Sequence, residues 1–87
     1  MSVESKLSDL QLAVFDRIRL AGWAGCTVDE IEVATGRTHQ SVSARVNELV
    51  AKKLIEGSGT TRKTRAGRGA RVYILYGLKA ANERQET

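Results

Sequence analysis

The chain has 87 residues, which is enough for one small domain with little room for a second core or a deep pocket. Its composition, 41% hydrophobic and 28% charged, is typical of a folded protein rather than a disordered tail. One cysteine and one histidine exclude an internal disulfide and a metal site built from such residues, and no cofactor is predicted. No apolar run reaches the roughly 20 residues that span a membrane and no signal peptide opens the chain, so we expect a cytoplasmic protein without a membrane partner.

The positive charge is concentrated towards one end of the chain. Residues 1–56 hold seven Lys or Arg against eight Asp or Glu, a net of −1, whereas residues 57–87 hold seven against two, a net of +5. No carboxylate side chain occurs between Gly57 and Asn82. A near-neutral body with one basic end suggests a polyanionic partner, although Lys and Arg clusters are also common as solvated surface.

The first helix is predicted from a capping box and an apolar stripe. Ser8 and Gln11 stand three residues apart, so each side chain can satisfy the free backbone N–H group of the other. The helix then continues with one apolar face and ends at Gly22. That face consists of Leu7, Leu10, Val14, Ile18 and Ala21. The apolar residues off it, which would pack on a partner subunit or lie as scattered surface, are Leu12, Phe15 and Leu20.

A short connection follows this helix, with a residue or two of strand. Trp23 is expected to lie as a lid on the core rather than to stack on a ligand. Cys26 is expected to be a small buried apolar group, because nothing nearby in the sequence supplies a base or a cation that would activate its thiol.

A second, short helix is predicted from another capping box. Thr27 and Glu30 repeat the spacing of the first box, and Asp29 and Glu30 are interpreted as capping carboxylates in the first turn, where the helix dipole favours them. Gly36 is expected to end the helix in a left-handed conformation. The predicted buried side consists of Val28, Ile31 and Ala34.

A third helix is predicted from about His39 to Lys53, with Thr38 as its N-cap. At 100° per residue, its apolar residues and its short polar residues fall on opposite sides. The side expected to face the core holds Val42, Val46, Leu49, Val50 and Lys53. The outward side holds Gln40, Ala44, Asn47 and Ala51, flanked by Ser41 and Ser43. This outward side has no carboxylate before Glu48, which is unusual for a helix face that meets only water.

A β-hairpin with a basic tip is predicted next. Leu54 and Ile55 enter the first strand, and the β-branched and aromatic run of residues 71–76 predicts the second strand. Residues 57–69, rich in Gly, Thr and Arg, are expected to connect them. Gly77 is expected to end the hairpin, and residues 78–85 to form a short last helix or a loose tail.

This order of elements resembles a winged-helix domain, an α+β fold with a three-helix core followed by a β-hairpin wing. The stretch from Thr27 to Glu56 resembles the helix-turn-helix core of bacterial and phage winged-helix regulators. The matching residues are Ile31, Gly36, Val42, Val46 and Leu49, with the exit through Lys53, Leu54 and Ile55. Two positions depart from the pattern, since Glu32 replaces a small residue and Arg37 replaces an apolar one. The resemblance covers residues 8–76 as a DNA-binding domain, and we expect a flexible leader (1–7) before it and a tail or short helix (77–87) after it.

The resemblance also implies that the third helix enters the major groove of double-stranded DNA. Gln40 and Asn47 can make paired hydrogen bonds to adenine, and Ala44 can touch a thymine methyl group. The predicted recognition-helix contacts are Arg37, Thr38, His39, Gln40, Ser41, Ser43, Ala44 and Asn47. His39 either contacts DNA or merely lies in the turn. The predicted wing contacts, on the backbone or in the minor groove, are Arg62, Lys63, Arg65, Arg68 and Arg71, with no counter-charge on the hairpin.

Sequence-specific DNA binding for transcription regulation, close to the nucleoid, is therefore the leading hypothesis. One small module buries limited surface, so useful affinity needs a homodimer or tandem sites. Two alternatives stay open, an architectural DNA-binding factor of the excisionase or packaging kind and a winged helix that binds an acidic protein. An enzyme is not expected, because the sequence has no nucleophile and base set, no metal cluster, no phosphate-binding glycine loop before a helix and no evident small-molecule site.

Overall fold

The structure is a computed structural model, and it describes residues 7–80. Three helices are followed by a two-stranded antiparallel hairpin, so the predicted α+β winged-helix architecture is confirmed. The leader over residues 1–6 and the tail from residue 81 onwards lie outside the described residues, whereas residues 78–80 are helical. The elements are α1 (Asp9–Ala21), a 3-10 turn (Gly22–Ala24), α2 (Val28–Thr35), α3 (His39–Ala51), β1 (Ile55–Lys63) and β2 (Gly69–Leu75).

Both capping boxes form as predicted. The N–H of Gln11 donates to Ser8 Oγ at 3.1 Å, and the N–H of Ser8 donates to Gln11 Oε1 at 2.9 Å. Thr27 and Glu30 repeat this exchange at the start of α2, at 3.2 and 3.1 Å. Gly36 ends α2 in the predicted left-handed conformation, with φ 71° and ψ 15°. These local contacts fix where α1 and α2 begin and where the turn towards α3 starts.

One apolar core lies between the three helices and the hairpin. The face predicted for α1 is confirmed, since Val14 and Ile18 are fully buried and Leu7, Leu10 and Ala21 pack partly against them. Cys26 is buried as predicted, and burial raises the pKa of its thiol. The core residues are Val14, Ile18, Cys26, Ile31, Val42, Val46, Leu49 and Ile55, with Val72 and Ile74 of β2 also buried.

Five expectations about which side chains face the core are wrong, among them that for Lys53, which is exposed. Trp23 is 53% exposed. The backbone of Gly25 packs closely against β2 and fills the core side of the connection, so the Trp23 side chain lies outside. Val50 is 40% exposed, because α3 ends at Ala51 and the chain turns back so that Leu54 packs on the core. Ala34 is exposed near the end of the two-turn helix α2. Phe15 packs against the core rather than joining an outer face with Leu12 and Leu20.

The hairpin is longer than the sequence predicts. Residues 57–63, expected to be part of the connection, belong to β1 and pair with β2 from Ile55 opposite Leu75 to Lys63 opposite Gly69. The ladder is made by backbone groups, so a partner strand with strong β propensity can order a segment of Gly, Thr and Arg. An isolated antiparallel bridge joins Cys26 to Tyr73, so a third backbone segment lies beside β2. This bridge is the short piece of strand expected in the connection after α1.

Candidate nucleic-acid interface

The outer face of α3 presents two unengaged carboxamides. Gln40 and Asn47 are seven residues apart and therefore lie on the same side of the helix, about 10 Å apart along its axis. Both side chains are exposed, and neither forms a side-chain hydrogen bond with any residue between 7 and 80. Ser43 and Ala44 lie half-buried between them. The face can therefore approach a surface closely and make paired hydrogen bonds with it.

The single carboxylate of α3 is engaged elsewhere. Glu48 accepts from the Gln11 side chain of α1 at 2.8 Å and from the guanidinium of Arg45 at 2.8 Å on both oxygens. These hydrogen bonds, that of Arg45 foremost, lower the pKa of the Glu48 carboxyl group. The first turn of α3 holds no acidic residue. The outward face is therefore free of uncompensated negative charge.

The amino terminus of α3 is built by its cap. Thr38 Oγ1 accepts the N–H of Ser41 at 3.2 Å, which confirms Thr38 as the N-cap and leaves Ser41 half-buried. Arg37 is exposed in the turn, and its side chain has no hydrogen-bond partner among the residues described. Arg37, Thr38 and Ser41 therefore stand beside the carboxamide face at the end of the helix where the dipole is positive.

His39 joins α3 to α2. Its Nδ1 lies 2.7 Å from Glu32 Oε2, and its Nε2 lies 3.4 Å from Ser43 Oγ. Glu32 also accepts from Arg65 of the hairpin tip, at 3.4 Å. Glu32 stands where the winged-helix pattern has a small residue, and here its carboxylate ties the wing to the start of α3. The departure from the pattern thus has a structural role.

Two of the five wing cations are paired, so the prediction of a hairpin without counter-charge is wrong for them. Arg62 makes two contacts with Glu30, at 2.8 and 2.7 Å, and its other N–H groups reach the carbonyls of Ala24 and Gly25, both at 3.0 Å. Arg65 donates from Nε to Asp29 Oδ1 at 2.7 Å. These hydrogen bonds lower the pKa values of Glu30 and Asp29. Asp29 and Glu30 are therefore anchors for the wing as well as groups in the first turn of α2.

The remaining wing cations fall into two places. Lys63 and Arg68 are exposed at the tip, with no ion-pair partner within residues 7–80. The tip is closed by hydrogen bonds from Thr64 N–H to Arg68 O and from Gly67 N–H to Thr64 O, both at 2.9 Å. Arg71 lies further back along β2, where it lines a cavity with Lys79. The structure thus brings Lys63 and Arg68 to the tip and separates Arg71 from them.

Arg62 is expected to stabilise the fold in a pH-dependent way. The folded pKa of Glu30 is below its ordinary value of 4.5, so the ion pair contributes fully above that pH and its contribution is lost as the pH falls through the folded pKa. Replacing Arg62 with glutamine should therefore lower the free energy of unfolding by about 1 kcal/mol at pH 7, since the pair is partly exposed and screened. Urea unfolding from pH 7 to pH 3 measures this difference.

The difference between wild type and Arg62→Gln should shrink below pH 4.5, the ordinary pKa of Glu30, leaving only the contribution of the two carbonyl contacts. Lys63→Gln is the matched control, because it removes the neighbouring strand cation and should give a difference that is small and independent of pH. A difference for Arg62→Gln that stays constant down to pH 3 would show that the ion pair does not contribute to stability.

A comparison with protein families identifies the fold. The model of the MarR family matches residues 6–65, more than half of the chain, from α1 to the hairpin tip. The chain belongs to the MarR family. MarR-family proteins are DNA-binding transcription regulators, which confirms the winged-helix resemblance and the general class of function. No curated protein matches the chain. None of the helices in the described part of this MarR-family chain is long and apolar enough to cross a membrane.

Proposed function

We propose that this MarR-family chain binds double-stranded DNA sequence-specifically and regulates transcription, with α3 in the major groove and the wing on the backbone or minor groove. One observation carries the proposal. The side-chain carboxylates of α2 and α3 are all engaged within the protein, whereas the carboxamides of Gln40 and Asn47 form no side-chain hydrogen bond with any residue that the structure describes. A surface that has neutralised its own negative charge and exposes paired donors and acceptors suits a DNA groove.

Base contacts are assigned to the outer face of α3. A carboxamide can donate from its NH2 group to adenine N7 and accept from the adenine N6 amino group, so Gln40 and Asn47 are suited to read adenine in the major groove. Their axial separation of about 10 Å corresponds to about three base steps, so each would read a different base pair. Ser43 supplies a further hydrogen-bonding group, and Ala44 lets the helix approach and meet a thymine methyl group.

Phosphate contacts are assigned to cations that form no ion pair within residues 7–80. Arg37 lies at the amino terminus of α3, and Lys63 and Arg68 lie at the wing tip. Arg62 and Arg65, although part of the predicted wing contact, act first as anchors that fix the wing against α2. Since Glu32 contacts both Arg65 and His39, the wing and the start of α3 should meet DNA in one fixed relative orientation.

A homodimer is proposed as the DNA-bound form. Leu12 and Leu20 of α1 are 46% and 67% exposed, which supplies apolar surface for a second subunit. Two copies on two half-sites would supply the affinity that one small module lacks. Sedimentation velocity at micromolar protein, with and without DNA, should show a dimer in at least one condition. A monomer in both conditions would contradict this part of the proposal.

The test of the function is selection of DNA from a random library by the purified full chain at about physiological salt, read out by sequencing. A compact enriched motif is expected, and a palindromic motif would give the half-site spacing of the dimer. Salt-sensitive binding without enrichment would contradict sequence-specific regulation and favour an architectural role. No binding to duplex DNA would exclude both and leave the basic wing to an acidic protein.

A further inference from the structure

A bulge interrupts the ladder of the wing away from its tip. Gly57 pairs with Tyr73 and Thr61 with Arg71, so residues 58–60 of β1 lie opposite the single residue Val72 of β2. A local hydrogen bond closes the bulge, since the N–H of Thr60 donates to Ser58 Oγ at 3.2 Å. Bulges of this kind redirect side chains and are frequent beside functional sites.

A cavity of about 460 Å³ lies against this bulge, and we call it the bulge cavity. It is lined by Gly57, Gly59, Thr60, Thr61, Arg71 and Lys79. Gly57 leaves room for one cation, because a Cβ there would lie 3.2 Å from Arg71 Cδ, whereas a Cβ on Gly59 would make an ordinary contact of 3.6 Å with Lys79 Nζ. Its volume is within the roughly 300–1,000 Å³ of small-molecule sites.

The charges of the bulge cavity have one sign. Arg71 and Lys79 line it together, and within residues 7–80 neither forms an ion pair or a side-chain hydrogen bond. No carboxylate is among the lining residues. The nearest acid in sequence, Glu56, accepts the N–H of Gly77 at 2.9 Å. Two cations that share a cavity repel each other unless an anion lies between them.

We propose that the bulge cavity binds a phosphate group, either a free phosphate or phosphomonoester or a backbone phosphate of bound DNA. The guanidinium of Arg71 offers a planar fork of donors, and the Lys79 ammonium offers a compact point charge. The hydroxyls of Thr60 and Thr61 supply further donors at the rim. The proposal uses no residue of α3, so it stands or falls separately from base reading.

Phosphate titration of the full chain, followed by ¹H–¹⁵N NMR at constant ionic strength, tests the site. Inorganic phosphate should give saturable shifts at the amides of Gly57, Gly59 and Thr61. Arg71→Gln and Lys79→Gln should each weaken binding by about tenfold, as expected for the loss of a charge-assisted hydrogen bond. Both side chains are exposed, so circular dichroism should show an unchanged fold. Lys52→Gln is the matched control, because it makes the same charge change at an exposed position outside the cavity and the wing, and it should have no effect.

Duplex binding as a function of salt then separates the two sources of phosphate. If the site holds a DNA phosphate, Arg71→Gln and Lys79→Gln should each lower the salt slope by about one. If it holds a free phosphate, the duplex affinity should stay unchanged while the NMR shifts are lost. The proposal is overturned if phosphate shifts of the wild type are absent or non-saturable, or if both cavity variants keep the phosphate affinity of Lys52→Gln and the salt slope of the wild type.

Discussion

Gly25→Ala is expected to destabilise the domain by about 3 kcal/mol or more, a large part of the stability of a small domain. A Cβ at this position would lie 2.5 Å from the carbonyl oxygen of Tyr73 and 2.6 Å from Val72 Cγ1. The strand cannot retreat easily, since Cys26 and Tyr73 exchange backbone hydrogen bonds of 3.0 and 2.8 Å. Gly25 also has a φ of 64°, so an alanine would be strained even without the clash.

Gly36→Ala is the matched control for this prediction. Gly36 has a φ of 71°, but a Cβ there would meet nothing within 4 Å. Gly36→Ala should therefore lower the free energy of unfolding only by the cost of placing alanine in a left-handed conformation, about 1–2 kcal/mol. Urea unfolding of both variants at neutral pH measures the comparison. Equal losses for the two substitutions would show that the approach of Gly25 to β2 is not a constraint on the fold.

Asn47→Ala is expected to relax discrimination at particular base pairs of the selected site by roughly 1–3 kcal/mol. The side chain is exposed on the outer face of α3 and has no competing partner among residues 7–80, so its loss should remove a base contact without disturbing the fold. Gln40→Ala should have the same kind of effect at a base pair about three steps away. Fluorescence anisotropy with a panel of single-base variants of the site measures both.

Arg68→Ala should behave differently. A cation at the wing tip that contacts phosphate carries no base preference, so its loss should weaken binding to all sequences similarly and lower the salt slope by about one. The same panel of duplexes, measured over a range of salt concentrations, provides the comparison. If Asn47→Ala and Arg68→Ala change affinity uniformly and alike, the assignment of base reading to α3 and phosphate contact to the wing is wrong.

The local features of the fold could be predicted because their partners are close in sequence. Each capping box joins residues three positions apart, as with Ser8 and Gln11. The end of α2 at Gly36 could be predicted because a glycine directly after a helical pattern readily adopts the left-handed conformation that ends a helix. Helix periodicity likewise separated the buried Val42 and Val46 of α3 from its outward carboxamides. From these features the order of elements, and hence the winged helix, followed.

The wing anchors could not be predicted because they depend on how the hairpin folds back. Arg62 and Glu30 are separated by 32 residues, and Arg65 and Asp29 by 36. In the sequence, the positions of Asp29 and Glu30 in the first turn of α2 already explain both carboxylates, so the sequence gives no reason to expect ion pairs with the wing. The one available signal was Glu32, a carboxylate at a position where the winged-helix pattern has a small residue. The exposure of Trp23 also depends on a distant contact, that of Gly25 with β2.

The most direct test of base reading by α3 is 7-deazapurine scanning of the selected DNA site. This substitution removes the N7 acceptor from the major groove and leaves the minor-groove edge and base pairing in place. Affinity should fall at a few adenines clustered within about three base steps, and one of these positions should become insensitive in Asn47→Ala. A site that keeps its sequence preference but tolerates every 7-deaza substitution would contradict recognition by α3 in the major groove.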